Sequence, residues 1–291
     1  MTLPPGQLPP APSPTGASTH TPISVPPPGP PPGRLPRWAQ LLLFVVVPAI
    51  VLLAVAVVVL LFFVLRGTGY NDVLQSRAGS RVEVSIPNAG LEFAPGAAGQ
   101  LRVEASGSYL GRQPQIEITN ARNNTTEISG GCRGGWLNFC RIRLTVFLPE
   151  STHLEVRAQN GSISVDSLSG SLNLATSNGT VLVENPSGRL ELSTTNGGVE
   201  VDGATSAMID ARSTNGRISL DFVDIPKTVE AETVNGSVTV TLPAGPTAYD
   251  VRAGAVNGQV DTSSVPIDPA ARRTISAQTV NGAVTVQVAD D

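Results

Sequence analysis

Only a few residues in this sequence have types and spacings that could carry chemistry, and the first are its two cysteines. Cys132 and Cys140 stand close together in the stretch CRGGWLNFC. An even pair at short spacing in an exported domain predicts a disulfide that closes a small loop. Two unrelated buried thiols are the alternative. A zinc site is disfavoured because no second Cys or His pair accompanies them.

Catalytic groups are sparse. His153 is the only histidine after residue 20, and a lone histidine just before a strand is expected to lie on the surface rather than act as a general base. No nucleophile-elbow, metalloprotease, P-loop or dinucleotide-binding motif occurs. A row of acids, Asp166, Glu184, Asp202 and Asp221, follows successive apolar pairs. Such a row lines the active face of some β-helix polysaccharide enzymes, but it also serves as a solvated edge that discourages sheet association. We therefore expect no enzyme, no cofactor and no metal.

The dominant pattern is a recurring Asn-Gly pair. Seven pairs follow one another at intervals of 18, 18, 19, 20, 22 and 24 residues. They are Asn160-Gly161, Asn178-Gly179, Asn196-Gly197, Asn215-Gly216, Asn235-Gly236, Asn257-Gly258 and Asn281-Gly282. Because Asn-Gly tolerates positive φ, we expect each pair to form a fixed corner and the set to form a ladder of structural turns that ends at Asn281.

Short strands flank each corner. The third residue after every Asn is apolar, and so is the fifth in six of the seven repeats, with Thr262 as the exception. The sixth and fourth residues before each Asn are apolar as well, which gives a period of two on both sides. An antiparallel meander with Asn-Gly hairpin turns fits this alternation. A β-solenoid that stacks each Asn on the previous one fits it as well. No amphipathic helix after residue 65 is available to cover a meander's apolar face. The sequence therefore favours an all-β fold, a single-stranded parallel β-solenoid or β-helix with rungs of about 18–24 residues, and 81–150 are expected to open the same sheet.

The N-terminal part differs in composition. Residues 1–37 contain 14 of the 25 prolines, and residues 41–65 contain no charge, which is ample length for a membrane-crossing helix. The predicted organisation is a disordered Pro-rich cytoplasmic tail over 1–37, a transmembrane helix over 38–66, a linker over 67–80 and an extracytoplasmic β-repeat domain over 81–291. Arg34 and Arg37 precede the uncharged stretch 41–65 and only Arg66 directly follows it, which favours a cytoplasmic N-terminus.

The balance of charge restricts the class of partner. After residue 65 the chain carries 23 acidic and 17 basic residues, so it lacks the basic character of a nucleic-acid-binding protein. The expected partners are the membrane itself, a cell-envelope polymer or protein of unknown identity, and further copies of the chain.

The repeats carry a resemblance to a known family. A strand that ends in proline, VFLPE at 146–150, precedes LEVRAQNGSISV, LNLATSNGTVLV, LELSTTNGGVEV and VEAETVNGSVTVTLP. These segments resemble the bacterial putative-adhesin family of β-strand-repeat domains, a domain of unknown function, over about residues 81–290. The resemblance implies a β-solenoid outside the cytoplasm and supplies no catalytic residue. The favoured function is a membrane-anchored, adhesin-like interaction module. The alternatives are an envelope-stress or signalling accessory, whose tail would report to a cytoplasmic partner, and a polysaccharide-acting enzyme.

Overall fold

The computed structural model describes residues 36, 38, 41–65, 68–121, 123–132 and 139–289. It divides into two compact units, Met1–Val59 and Leu60–Asp291. The Pro-rich tail, apart from Pro36, lies outside the described residues, and so do Arg34, Arg37 and Arg66.

A π-helical turn, Leu42–Val46, leads into α1, Val47–Leu65. The N–H of Val47 donates to the carbonyl of Leu42, five residues earlier. Pro48 comes directly after Val47. Because proline has no N–H, it cannot donate an α-helical hydrogen bond to the preceding turn, and the wider π-helical turn is tolerated there. The stretch Phe44–Phe62 is long and apolar enough to cross a membrane.

The rest of the described chain is all-β, as predicted, with 21 strands. The strands before the repeats are β1 (Thr68–Arg77), β2 (Arg81–Ser85), β3 (Gly90–Pro95), β4 (Gln100–Leu110), β5 (Gln115–Asn120), β6 (Thr125–Gly131) and β7 (Phe139–Leu148). The strands of the repeats are β8 (His153–Asn160), β9 (Ile163–Asp166), β10 (Leu172–Asn178), β11 (Val181–Glu184), β12 (Leu190–Asn196), β13 (Val199–Ala204), β14 (Met208–Asn215), β15 (Ile218–Phe222), β16 (Thr228–Asn235), β17 (Val238–Leu242), β18 (Asp250–Asn257), β19 (Val260–Asp261), β20 (Thr274–Asn281) and β21 (Val284–Val288).

The strands on the two sides of each Asn-Gly belong to different sheets. Sheet 1 has the order β1-β4-β7-β3-β9-β11-β13-β15-β17-β21-β19, and sheet 2 has the order β18-β20-β16-β14-β12-β10-β8-β2-β6-β5. We call the two strands that flank one Asn a rung. Equivalent positions of neighbouring rungs pair in parallel, so that Asn178 is in register with Asn160 and with Asn196. A meander would instead pair the two strands of each rung with each other, and the structure does not.

The apolar residues of both strands point into the space between the sheets. Leu154 and Leu174 of sheet 2 and Val165 and Val183 of sheet 1 are fully buried. Burying a Val, Leu or Ile side chain contributes about 1.5–3 kcal/mol, so a core repeated on every rung is the main source of stability.

The beginning of the domain is not uniformly parallel, and the prediction of a single-stranded parallel fold is wrong there. β4 pairs antiparallel with β1 and β7, and β5 pairs antiparallel with β6. Two neighbouring parallel strands need a crossover connection, and in the repeats the strand on the other sheet supplies it. The short connection between β5 and β6 is no crossover, so these two strands pair antiparallel. β1 also lies inside the segment 67–80 that was predicted to be a linker. Its Tyr70 is buried, but the strand buries too few residues to show an alternating pattern.

The last two rungs exchange places. β20 and β21 pair with β16 and β17 on one side and with β18 and β19 on the other. The rung of Asn257 therefore ends the stack, and the prediction that Asn281 ends it is wrong. The connections 243–249 and 262–273 are long enough to pass over a rung, whereas the shorter connections of the earlier repeats place consecutive rungs side by side.

Candidate functional site

The corners of the rungs carry a continuous line of asparagine side chains. In each neighbouring pair the Nδ2 of one Asn donates to the Oδ1 of the next, at 2.7–3.0 Å. In spatial order the line contains Asn88, Asn160, Asn178, Asn196, Asn215, Asn235, Asn281 and Asn257. We call it the asparagine ladder. All of its members are exposed.

Asn88 was missed by the sequence analysis. It precedes Ala89 rather than a glycine, so a search for Asn-Gly passes over it. The apolar offsets would have found it, because Leu91 and Phe93 stand three and five residues after it and Val82 six residues before it, as in every later rung except that of Asn257, where the fifth residue is Thr262.

The glycine of each corner is required by close packing between rungs. A Cβ on any of the seven ladder glycines would lie closer than 3.0 Å to the carbonyl oxygen of the neighbouring rung. None of the ladder asparagines has a positive φ, and among the glycines of the pairs only Gly161 and Gly282 do, so positive φ does not explain the Asn at the corner. Left-handed conformations occur instead at the opposite corner, at Ser167, Asn185 and Gly203.

A second ladder of hydroxyl groups lies just inside the first. Thr176, Thr194, Ser213, Thr233 and Thr279 are buried, and each Oγ donates to a glycine carbonyl of the preceding rung at 2.9–3.1 Å. These bonds satisfy corner carbonyls next to the core. The two ladders together fix one side of the stack as a regular polar ridge.

The acids that follow the inward strands of sheet 1 are brought together. Glu184 of β11 is in register with Asp166 of β9 and with Asp202 of β13. Asp221 lies on the next strand, where burial first, and the negative charge of Asp202 second, raise its pKa above the usual range. None of the four carboxylates forms an ion pair with a residue that the structure describes. We call these four residues the acidic row; its charges are spaced by about 4.8 Å, the distance between strands.

The other residues singled out by the sequence lie elsewhere. A disulfide joins Cys132, just after β6, to Cys140 of β7, with a Cα–Cα distance of 5.9 Å, and residues 133–138 between them lie outside the described part. His153 begins β8, where its backbone N–H donates to the carbonyl of Ser80. Within the described ranges no group of three His, Cys, Asp or Glu residues is arranged to hold a metal.

Comparisons with solved structures give distant likenesses. A putative cell adhesion protein from Clostridium sporogenes is 11% identical, with 76% of this chain and 100% of that chain covered at a TM-score of 0.35. A putative adhesin from Parabacteroides distasonis is 10% identical, with 77% and 98% covered at 0.38. A putative adhesin from Bacteroides fragilis is 14% identical, with 76% and 97% covered at 0.40. These likenesses are too distant to transfer a function.

The sequence comparisons are more specific. No curated protein matches the chain. Residues 170–290, which hold the rungs from β10 to β21, match the family described as Toastrack DUF4097. The resemblance that the repeats suggested over residues 81–290 is thereby confirmed over residues 170–290, where the sequence matches the Toastrack DUF4097 family.

Proposed function

We propose that the protein is a membrane-anchored cell-surface β-solenoid that acts as a non-catalytic, adhesin-like interaction module. The observation that carries the proposal is the acidic row, because Asp166, Glu184 and Asp202 stand in register on adjacent strands and none of them forms an ion pair with a described residue. Like charges directly opposite each other on neighbouring strands are destabilising. A ligand that brings matching positive charge offsets this cost when it binds.

The proposed ligand class follows from that charge pattern. A polymer or protein of the cell envelope with closely spaced ammonium or guanidinium groups matches carboxylates about 4.8 Å apart on a rigid support. His153 does not contribute to the row, because it is on a different sheet, at the start of β8.

The acidic row is tested by removing the same amount of negative charge from two different places. The variant Asp166→Asn/Glu184→Gln/Asp202→Asn loses three negative charges from adjacent strands. A matched variant, with Gln at three exposed glutamates of sheet 2, loses the same charge from non-adjacent strands β5, β12 and β16. Those three glutamates are Glu117, Glu191 and Glu232.

Binding is measured for the full chain in nanodiscs, with polylysine as the chemical probe and isolated envelope fragments as the natural one. We expect the acidic-row variant to lose at least about tenfold in affinity at low salt, and the sheet 2 variant to lose much less. Equal losses in the two variants, or binding that does not weaken with salt, would contradict a role for the row.

The proposed topology places the tail 1–37 in the cytoplasm, the helix 38–66 in the membrane and the repeat domain 81–291 outside. Protease added to intact cells should then cleave the repeat domain and leave the tail intact. Mass spectrometry of the non-reduced protein should find Cys132 joined to Cys140, since an exported domain meets an oxidising environment. Cleavage of the tail with protection of the domain would reverse the orientation.

A further inference from the structure

The seven Asn-Gly pairs differ in one backbone hydrogen bond. In six of them the N–H of the glycine donates to the carbonyl of the ladder Asn on the next rung, at 2.9–3.1 Å. The donors are Gly161, Gly179, Gly197, Gly216, Gly236 and Gly282. The seventh, Gly258, stands on the terminal rung, and its N–H has no acceptor among the residues that the structure describes. Gly258 is also exposed, whereas the other six glycines are half-buried.

This difference concerns a spontaneous reaction of Asn-Gly sequences. The backbone nitrogen of the glycine, after losing its proton to solvent base, attacks Cγ of the preceding Asn. The N–Cγ bond forms, the Cγ–Nδ2 bond breaks, and ammonia leaves with a proton from solvent. Water then opens the cyclic imide at either carbonyl and leaves aspartate or isoaspartate, with no change in oxidation state. Glycine favours the attack because it has no side chain to hinder the approach.

The stack of rungs restrains the reaction wherever the glycine N–H is bound. The hydrogen bond holds the glycine nitrogen toward the next rung. The two rungs must therefore separate before this nitrogen can turn toward the Asn side chain that it attacks. Opening is least costly at the end of a stack. The terminal rung is the least packed, since Val251 and Ala253 are only half-buried and Val260 is 45% exposed, whereas their counterparts on the neighbouring rung are buried.

We propose that Asn257 is the site at which the folded protein deamidates, and that the other six Asn-Gly pairs are protected by the glycine N–H bonds between rungs. Deamidation replaces the Nδ2 that donates to Asn281 by a carboxylate oxygen. The product therefore loses the last bond of the asparagine ladder and gains a negative charge at the open end of the stack. This inference does not depend on the proposed ligand.

The chain supplies its own matched controls. Asn235, Asn257 and Asn281 share the sequence Val-Asn-Gly, and trypsin places each of them alone in a peptide, in 228–252, 253–272 and 274–291. The full chain in detergent is incubated in mildly alkaline buffer and digested briefly at lower pH. Mass spectrometry then follows the conversion of each Asn. The same incubation in urea gives the intrinsic rates of the three sequences.

In the folded protein we expect Asn257 to convert at least about tenfold faster than Asn235 and Asn281, and in urea we expect the three rates to converge. In the variant Asn257→Gln the peptide 253–272 should stay unmodified while the other two keep their slow rates. Similar rates for the three sites in the folded protein would overturn the proposal. A ratio that persists unchanged in urea would also overturn it, because local sequence would then account for the difference.

Discussion

Substitutions at Asn281 and Asn257 distinguish a ladder from a set of separate turns, because the two residues share a local sequence and differ in neighbours. Asn281 donates to Asn235 at 2.8 Å and accepts from Asn257 at 2.9 Å. Asn257 makes only the second of these bonds. Replacement of Asn281 by Ala removes two side-chain bonds, and replacement of Asn257 removes one.

The expected costs follow from that count. A hydrogen bond contributes a net of about 0.5–1.5 kcal/mol, and the lower half of this range applies because the ladder is exposed. We therefore expect Asn281→Ala to lower the free energy of unfolding by about 1–2 kcal/mol and Asn257→Ala by about 0.5–1 kcal/mol. The double variant should cost no more than Asn281→Ala alone, because the bond between the two residues is already lost.

The assay is urea unfolding of the full chain in detergent, followed by far-UV circular dichroism. Hydrogen exchange of β18 and β20 is measured in parallel, because a frayed terminal rung opens locally before the whole domain unfolds. Equal losses at the two positions would refute the ladder, and so would a double variant whose loss is the sum of the single losses.

Three further sets of substitutions test the contacts between rungs. Gly197→Ala should destabilise the domain by at least about 2 kcal/mol, because its Cβ would meet a carbonyl of the neighbouring rung closer than 3.0 Å, while Gly198→Ala, whose Cβ has no neighbour closer than 3.2 Å, should cost far less in the same urea assay. Thr233→Val should cost about 1–2 kcal/mol, since the carbonyl of the half-buried Gly216 loses its hydroxyl donor, and Thr233→Ser should restore most of it. The pKa of Asp221 is raised, so its contribution to stability is present below its ordinary pKa and is lost as the pH rises through the raised value. Asp202→Asn should therefore stabilise the domain at neutral pH and have little effect in acid, where Asp221 is uncharged and the repulsion is lost; a gain that persists in acid would contradict the repulsion.

Residue types and spacings were sufficient to predict the secondary structure of the repeats. The apolar residues at constant offsets from each Asn predict a strand on either side of the corner, because a buried face in a strand requires a period of two. The uncharged stretch 41–65 predicts a helix by length and composition, and the structure has α1 there. The acids at Asp166, Glu184 and Asp202 occupy equivalent positions of consecutive repeats, so their alignment also follows from the repeat.

The order of the rungs depends on tertiary structure. The rungs offer nearly the same apolar positions and the same corner, with Thr262 of the Asn257 rung as the exception, so the constant offsets by themselves do not place Asn281 before Asn257. The path of the long connections 243–249 and 262–273 determines which rung docks on β16 and β17. The requirement for glycine at the corner also comes from tertiary structure. At Gly179, for example, a Cβ is excluded by the carbonyl of Gly161, which lies on another rung about 18 residues away in sequence.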